Sequence, residues 1–218
     1  MPPAVVQSGF AIGSPFTFGV NNTLHNAILA ALSTTDVLAT SLELSDTQGN
    51  IYSSLPFRLN KTVAASLSSQ IFYCLDIHAG ANILSGQAFD FNHGPLGATD
   101  LIVCEVTLIK FLETHANAIG IGLAQDSGSI AVRAIESFLL GHEAGKDQAS
   151  LTADATFTEI AQISSGQLQF KIVGPGTYNS TTTTTVGKGG TCFWLEDIAS
   201  FTQTLPPPAS GGSNIITF

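Results

Sequence analysis

Short stretches in which apolar and polar side chains alternate are the feature that most constrains the fold of this chain. Residues 167–172 read Gln-Leu-Gln-Phe-Lys-Ile, and similar alternation occurs in residues 38–45, 51–59 and 71–78. A period of two places successive side chains on opposite faces of a strand. Clusters of Gly, Pro, Asn, Asp and Ser separate these stretches and are typical of turns. The pattern therefore predicts an all-β chain.

The predicted architecture is an antiparallel β-sandwich of the jelly-roll type, with extended N- and C-terminal arms and one or two short helices. Residues 1–19 are expected to form the N-terminal arm, and residues 20–204 the sandwich domain. Residues 205–218 are rich in Pro, Gly and Ser and end in apolar residues, so we expect a C-terminal arm there. Arms of this kind commonly dock on a neighbouring molecule, although a frayed terminus has the same composition.

Individual elements follow from local pattern. Residues 22–33 are rich in Ala and Leu, begin with the capping candidates Asn22 and Thr23, and predict a short helix. Residues 38–59 and 155–173 predict two β-hairpins, and residues 61–70 a connector that is compatible with a helix. Residues 101–112 are apolar on both faces over most of their length, which indicates a central strand or one covered by a neighbouring subunit.

Charged residues are scarce. They make up 11% of the chain, with 16 acidic against 7 basic side chains, whereas about 25% is usual. The surface is therefore either covered by uncharged polar residues or buried against other subunits. Phosphate binding requires clustered Lys and Arg, so neither a nucleic acid nor an anionic membrane surface is an expected partner. The most apolar run, residues 101–112, is too short to span a membrane and contains Glu105 and Lys110.

The cysteine pattern is uninformative about chemistry. Cys74, Cys104 and Cys192 are widely spaced, and none belongs to a Cys-x-x-Cys motif. Each lies in an apolar stretch, so the expected state is three buried thiols that pack as small hydrophobic side chains.

The sequence contains no complete catalytic motif of the kinds considered below. The run His142-Glu143-Ala144-Gly145-Lys146 lacks the second His of a zinc-protease helix and the Ser or Thr of a phosphate-binding loop, and it is interpreted as a polar loop. Glu105 and Glu113, with His115, have the residue types of an acid/base set but no geometry to support one. No cofactor is expected.

Four polar residues have the composition of a metal site. Asp76 and His78 share one strand face, and Asp90 and His93 follow shortly after. Carboxylate and imidazole groups bind transition metals, but the paired His residues of a cupin motif are missing. A polar strand face or a subunit contact is the simpler interpretation.

The stretch Gly189-Gly190-Thr191-Cys192-Phe193-Trp194-Leu195-Glu196-Asp197-Ile198 resembles the closing strand of many tailed-phage virion proteins, although Ala199 stands where Gly usually follows. The resemblance implies a capsid decoration or fibre protein with a jelly-roll body, often trimeric. The sequence shows no secretory signal, so the resemblance implies a protein made in the host cytoplasm and located in the virion.

Two functions of different classes follow, and a third stays open. The first is a non-enzymatic virion structural protein that contacts itself, the major capsid protein or other virion proteins, with its interface residues predicted at Phe10, Phe16, Phe18, Ile215, Ile216 and Phe218. The second is a glycan-binding module for a host surface sugar, with candidate contacts at Tyr52, Asn92, His93, Tyr178 and Asn179. The third is a cupin-like metalloenzyme.

Overall fold

A computed structural model describes residues 1–61, 66–146, 148–163, 165–186 and 192–204. Within these ranges the chain forms twenty β-strands and no helix. Every pairing between neighbouring strands in these ranges is antiparallel. The prediction of an all-β antiparallel sandwich is confirmed.

The first half of the chain builds two sheets. Sheet 1 has the order β1-β10-β3-β7-β5, with β6 also paired to β7. Sheet 2 has the order β2-β8-β4, with β9 paired to β8. The strands are β1 Val5–Ala11, β2 Phe16–Thr17, β3 Ala27–Thr34, β4 Ser41–Asp46, β5 Ser53–Ser54, β6 Arg58–Lys61, β7 Ser66–Cys74, β8 Ile83–Phe89, β9 Pro95–Ala98 and β10 Asp100–Val106.

The second half builds two more sheets and a two-stranded ribbon. Sheet 3 has the order β11-β20-β14-β17-β16, sheet 4 has the order β12-β19-β15, and β13 pairs with β18. The strands are β11 Phe111–Ile121, β12 Ala124–Asp126, β13 Ile130–Val132, β14 Ser137–Lys146, β15 Gln148–Ala153, β16 Thr158–Ile163, β17 Gly166–Val173, β18 Gly176–Tyr178, β19 Thr181–Val186 and β20 Phe193–Thr202.

The two halves share one strand order. In sheet 1 the first strand, β1, lies beside the last, β10, which is followed by β3 and β7; in sheet 3 the same places are taken by β11, β20, β14 and β17. The smaller sheets correspond as well, since β2-β8-β4 and β12-β19-β15 occupy equivalent places along the chain. The molecule is thus two similar sandwiches in sequence.

The largest apolar cluster joins the two halves. It combines residues of sheet 1, such as Leu29, Ile71 and Ile102, with residues of sheet 3, such as Phe138 and Phe201. Sheets 1 and 3 therefore pack face to face in the centre of the molecule. Sheets 2 and 4 lie on the outside, each covering the far face of its partner sheet.

Where sheets 1 and 3 stack, a strand at the edge of one sheet lies near a non-equivalent strand at the edge of the other. The edge strand β1 lies near β16, because the Ser8 hydroxyl donates to the Ile160 carbonyl at 3.3 Å. At the other side of the stack β6 lies near β11, where the Asn60 amide donates to the Gly120 carbonyl at 2.9 Å. The two first strands, β1 and β11, are therefore at opposite sides of the central pair of sheets.

Residues 1–19, predicted as an arm, contribute two strands to the fold. β1 pairs with β10 along its length, and β2 pairs with β8. The buried carboxylate of Glu105 fixes the segment that follows. It accepts hydrogen bonds from the Gln7, Asn22 and Asn26 side chains at 2.6, 2.8 and 2.6 Å. The predicted arm at 205–218 lies outside the described residues.

The helix predicted over residues 22–33 is wrong. Residues 27–34 form β3, which lies between β10 and β7 and is buried at every position. A strand covered on both faces has no polar face, so it reads as a continuous apolar run instead of an alternation. The connector at 61–70 is likewise part of a strand from Ser66 onward, because β7 begins there.

Of the two predicted hairpins, one is confirmed and one is wrong. Strands β16 and β17 pair as a hairpin, as residues 155–173 predict. Residues 38–59 do not form a hairpin: β4 pairs with β8, whereas β5 and β6 pair with β7. The short strand β9 pairs with β8, so β8 lies between β4 and β9.

All three cysteines are buried, as predicted. Cys74 and Cys104 lie on β7 and β10 in sheet 1, and no disulfide joins any cysteines of the described ranges. The part of the chain that the structure describes contains no helix with the length and apolar character needed to cross a membrane.

Candidate interaction surfaces

The outer side of β1 is the first candidate surface. β1 pairs with β10 on one side, and no described strand pairs with its other side. Phe10 on this strand is 49% exposed, and Val6 and Ile12 beside it are also exposed. An edge strand that presents unpaired backbone groups beside apolar side chains is a template for association.

Of the interface residues predicted from the sequence, only Phe10 is placed at such a surface. Phe18 is 6% exposed and belongs to the apolar cluster between sheets 1 and 2. Phe16 packs against the same cluster, with its ring edge-on to that of Phe18 at 5.1 Å. Both are core residues of the monomer. Ile215, Ile216 and Phe218 lie outside the described residues.

The end of β11 is a second apolar surface, and the sequence analysis did not assign it to an interface. Ile119 and Ile121 share one face of this edge strand, and Leu123 follows it; all three are exposed. β11 pairs with β20, and no described strand covers its outer side. The sequence signal for this surface is the alternation of Ile119 and Ile121 with the small residues Ala118 and Gly120.

The loop after β8 carries two of the glycan candidates. The Asp90 carboxylate accepts hydrogen bonds from the backbone N–H groups of Asn92 and Gly94 at 2.9 and 2.8 Å, which fixes a tight turn. His93 stacks on Phe89 with ring centroids 4.3 Å apart. Asn92 is exposed and lies along a surface groove. Its neighbour Phe91, which the sequence analysis missed, is 90% exposed.

The groove beside this loop combines apolar and polar groups. Phe91, Asn92 and Lys61 line it, together with Val37, Leu38, Ala39, Thr40, Leu59 and Asp90. Lys61 donates from its ammonium group to the Val37 carbonyl at 3.1 Å. A ring held over a groove with amide and hydroxyl groups is suited to the apolar face and the hydroxyls of a sugar.

The other glycan candidates are engaged within the protein. Tyr52 donates its hydroxyl to Asp46 at 2.7 Å and packs against the cluster between sheets 1 and 2. Burial raises the pKa of Tyr52, and the Asp46 carboxylate raises it further. In the second half Tyr178 donates to the Gly174 carbonyl at 3.1 Å, and the Asn179 amide donates to Asp126 at 3.2 Å. Tyr178 and Asn179 lie at the end of β18 in the second half of the chain, whereas Phe91 follows β8 in the first half.

The four residues with metal-site composition are held in separate contacts. Asp76 lies 2.7 Å from a ring nitrogen of His25, and the His78 ring contacts the Gln48 carbonyl at 3.0 Å. Asp90 stabilises its own turn, and His93 lies 3.5 Å from Glu43. The described residues include no group of three or more His, Cys, Asp or Glu side chains arranged around a common point.

The prediction of a polar loop at His142–Lys146 is wrong, because these residues form the end of β14 in the centre of sheet 3. His142 is buried between sheets 1 and 3, with its Nδ1 at 3.3 Å from the Ser69 hydroxyl and 3.6 Å from the Asp197 carboxylate. These are the residue types of a hydrolase triad. The geometry is different, since one ring nitrogen faces both groups and the serine is fully buried.

The carboxylates considered as acid/base groups are structural. Glu105 and Glu113 lie in different sheets, on β10 and β11. Glu113 accepts hydrogen bonds from the backbone N–H of Arg133 at 2.6 Å and from the Ser200 hydroxyl at 3.0 Å. Burial alone would raise the pKa of Glu105, but its hydrogen bonds from Gln7, Asn22, Thr23 and Asn26 hold the pKa below its ordinary value. His115 is exposed on β11.

Comparisons with known proteins leave the function to be argued from these surfaces. No protein-family model, no curated protein and no solved structure matches the chain.

Proposed function

We propose that this chain is a non-enzymatic structural protein and a subunit of a larger assembly, of the kind that decorates or cements a phage capsid or forms a short fibre. The observation that carries the proposal is the edge strand β1, with its exposed Phe10 and neighbouring Val6 and Ile12. The proposed partners are further copies of the chain, in a trimer, and the major capsid protein or another virion protein.

The composition supports the same role. In a chain of which only 11% of residues are charged, covering the surface with a partner incurs a low desolvation cost. The repeated strand order, in which the last strand of each half lies between its first strand and β3 or β14, supports the jelly-roll form of the prediction.

Absolute mass in solution tests the proposal. We expect light scattering on a sizing column to give a multiple of the 22.6 kDa chain mass. The double variant Phe10→Asp/Ile12→Asp should give the monomer mass, because two charges would be buried in the interface. Ile135→Asp is the matched control, since Ile135 is 90% exposed on a turn away from β1. A monomeric wild type at every concentration would remove the proposal, as would an unchanged oligomer in the double variant.

A second candidate function, glycan binding, is favoured by one observation. Phe91 is 90% exposed on a turn that Asp90 holds rigid, and it lies beside Asn92 along a groove. Exposing a large aromatic ring to water is unfavourable. A sugar ring stacked on Phe91 would cover part of this exposed area.

A glycan screen distinguishes this candidate. We expect binding that is lost in Phe91→Ala and retained in Ile51→Ala, because Ile51 is equally exposed but lies outside the groove. A blank screen with the folded wild type would eliminate the glycan function. Equal binding by both variants would place any sugar site elsewhere and contradict the role of Phe91.

A further inference from the structure

A row of buried polar side chains crosses sheet 3 on the face that sheet 4 covers. Glu143 on β14 lies directly opposite Glu196 on β20, and Gln167 on β17 lies directly opposite Glu143. Side chains directly opposite one another on neighbouring strands share a face, with their Cβ atoms about 5 Å apart. The three are no more than 1% exposed. Two carboxylates and an amide therefore stand side by side in the interior.

Sheet 4 adds polar groups from above. The Ser180 and Thr182 hydroxyls donate to Glu196 Oε1 at 2.7 and 3.3 Å. Gln125 on β12 lies directly opposite Thr182 on β19, so the two side chains share the face of sheet 4 that is turned toward Glu196. Gln125 is 2% exposed.

Several of these polar atoms have no hydrogen-bond partner. Among the described residues this holds for Glu196 Oε2 and for the amide oxygen and nitrogen of both Gln125 and Gln167. Buried polar atoms are almost always paired with protein, water or an ion, because leaving them unpaired is costly. The corresponding layer of the first half, between sheets 1 and 2, is mostly apolar, and its buried carboxylate, Glu105, accepts hydrogen bonds from Gln7, Asn22 and Asn26. The strand order therefore does not require unpaired polar atoms here.

We propose that this layer is a binding site for a calcium ion, with Glu143, Glu196, Gln125 and Gln167 supplying oxygen ligands and Thr182 lining the site. Carboxylate and amide oxygens are the ligands that Ca²⁺ prefers, and it accepts six to eight of them in flexible geometry. The neutral amide oxygens are essential to this set, because the described chain brings no third acidic, His or Cys side chain to it.

The charge of the layer supports a cation. A bound cation stabilises buried carboxylates in their ionised form. A bound Ca²⁺ would do so without removing either ligand.

The chain contains a built-in reporter for this test. Trp194 is its sole tryptophan, and it lies two residues before Glu196 on β20, on the same face and about 7 Å along the strand. Terbium(III) occupies calcium sites and luminesces when a nearby tryptophan is excited. We therefore expect saturable terbium luminescence with one ion per chain, displaced by added Ca²⁺.

Variants assign the signal to the layer. We expect Glu196→Gln to weaken terbium binding at least tenfold, and Gln125→Met to weaken it as well. Glu159→Gln should bind like the wild type, because Glu159 is an exposed carboxylate on β16 of the same sheet. Circular dichroism checks that each variant is folded, and Gln125→Met serves if Glu196→Gln fails to fold.

Thermal unfolding of the wild type provides a readout that needs no variant. At pH 8, Ca²⁺ should raise the melting temperature relative to EDTA, because a ligand that binds only the folded state stabilises it. An unchanged melting temperature together with absent terbium luminescence would overturn the proposal. Equal terbium affinity in the wild type and Glu196→Gln would also overturn it, by assigning the ion to surface carboxylates.

Discussion

The two halves of the molecule have the same strand order, but their interiors differ in polarity. Between sheets 1 and 2 the first half packs a continuous apolar cluster that includes Ile28, Leu32 and Leu84. Between sheets 3 and 4 the second half places Glu143, Glu196 and their polar neighbours, and its apolar cluster is smaller. The same strand order can therefore enclose a mostly apolar layer or a polar one. The polar layer is therefore a property of the second half's own sequence.

The largest expected effect comes from the apolar interior of the first half. Leu32→Ala should lower the free energy of unfolding by about 2–5 kcal/mol, because it removes a fully buried side chain and leaves a cavity. Thr182→Ala in the corresponding layer of the second half should cost only about 1 kcal/mol, the usual contribution of one hydrogen bond. Denaturant unfolding measures both, and equal losses would contradict the contrast between the two interiors.

The second effect is a pH dependence specific to the second half. The folded pKa of Glu196 is raised to about 8 from an ordinary 4.5, so the folded state holds the extra proton between these values. Its contribution to stability is complete below about pH 4.5 and is lost as the pH rises through 8, with a slope of roughly 1 kcal/mol per pH unit. Glu143 lies directly opposite Glu196, and Asp197 and Asp126 are the other negative charges near it.

Melting temperatures measured from pH 5 to pH 9 in EDTA check this dependence. We expect a decline in the wild type and a flatter profile in Glu196→Gln, whose side chain has no charge to lose. Glu159→Gln is the control and should follow the wild type. A profile for Glu196→Gln as steep as that of the wild type would show that another group titrates.

The third effect has the opposite sign and belongs to the first half. Glu105 is ionised in the folded state, because its hydrogen bonds hold its pKa below the ordinary value. Its stabilisation is therefore present above the unfolded pKa and is lost as the pH falls through the folded pKa. Glu105→Gln should cost about 1.5–3 kcal/mol at pH 7, as expected for hydrogen bonds to a charged group. The difference from the wild type should shrink at pH 3.

The smallest effect compares two tyrosine hydroxyls. Tyr52→Phe removes a donor to the Asp46 carboxylate, and Tyr178→Phe removes a donor to a backbone carbonyl. We expect losses of about 1.5 and about 0.5 kcal/mol, because hydrogen bonds to charged groups are the stronger kind. Denaturant midpoints at pH 7 measure both, and a larger loss for Tyr178→Phe would reverse the assignment.

The fold class could be predicted from the sequence, but the pairing of the strands could not. Alternation and turn residues are local signals, and the hairpin formed by β16 and β17 needs no more than these. β4 instead pairs with β8, which begins 37 residues after β4 ends. No local pattern specifies a partner at that distance. The repeated strand order was invisible for the same reason, since it is not accompanied by a fixed sequence period.

The run His142–Lys146, which contributes Glu143 to the polar layer, was misread because its residues have the composition of a loop. His142, Glu143 and Lys146 would ordinarily be exposed, and sequence patterns assign buried positions to apolar side chains. Only the register of β14 against β20 reveals that Glu143 and Glu196 are neighbours. Phe91 was missed for the converse reason, because an aromatic residue at a strand end is expected to be buried, whereas the turn held by Asp90 turns it outward.

The placement of β1 and β11 at opposite sides of the central sheets restricts the symmetry of any complex built through them. Contacts between two β1 strands are the same on both partners, so they close after two copies. A trimer joined through these edges requires the β1 edge of one copy to meet the β11 edge of the next. Such a contact is heterologous. Depending on the rotation between neighbouring copies, it closes into a ring or extends into an open filament.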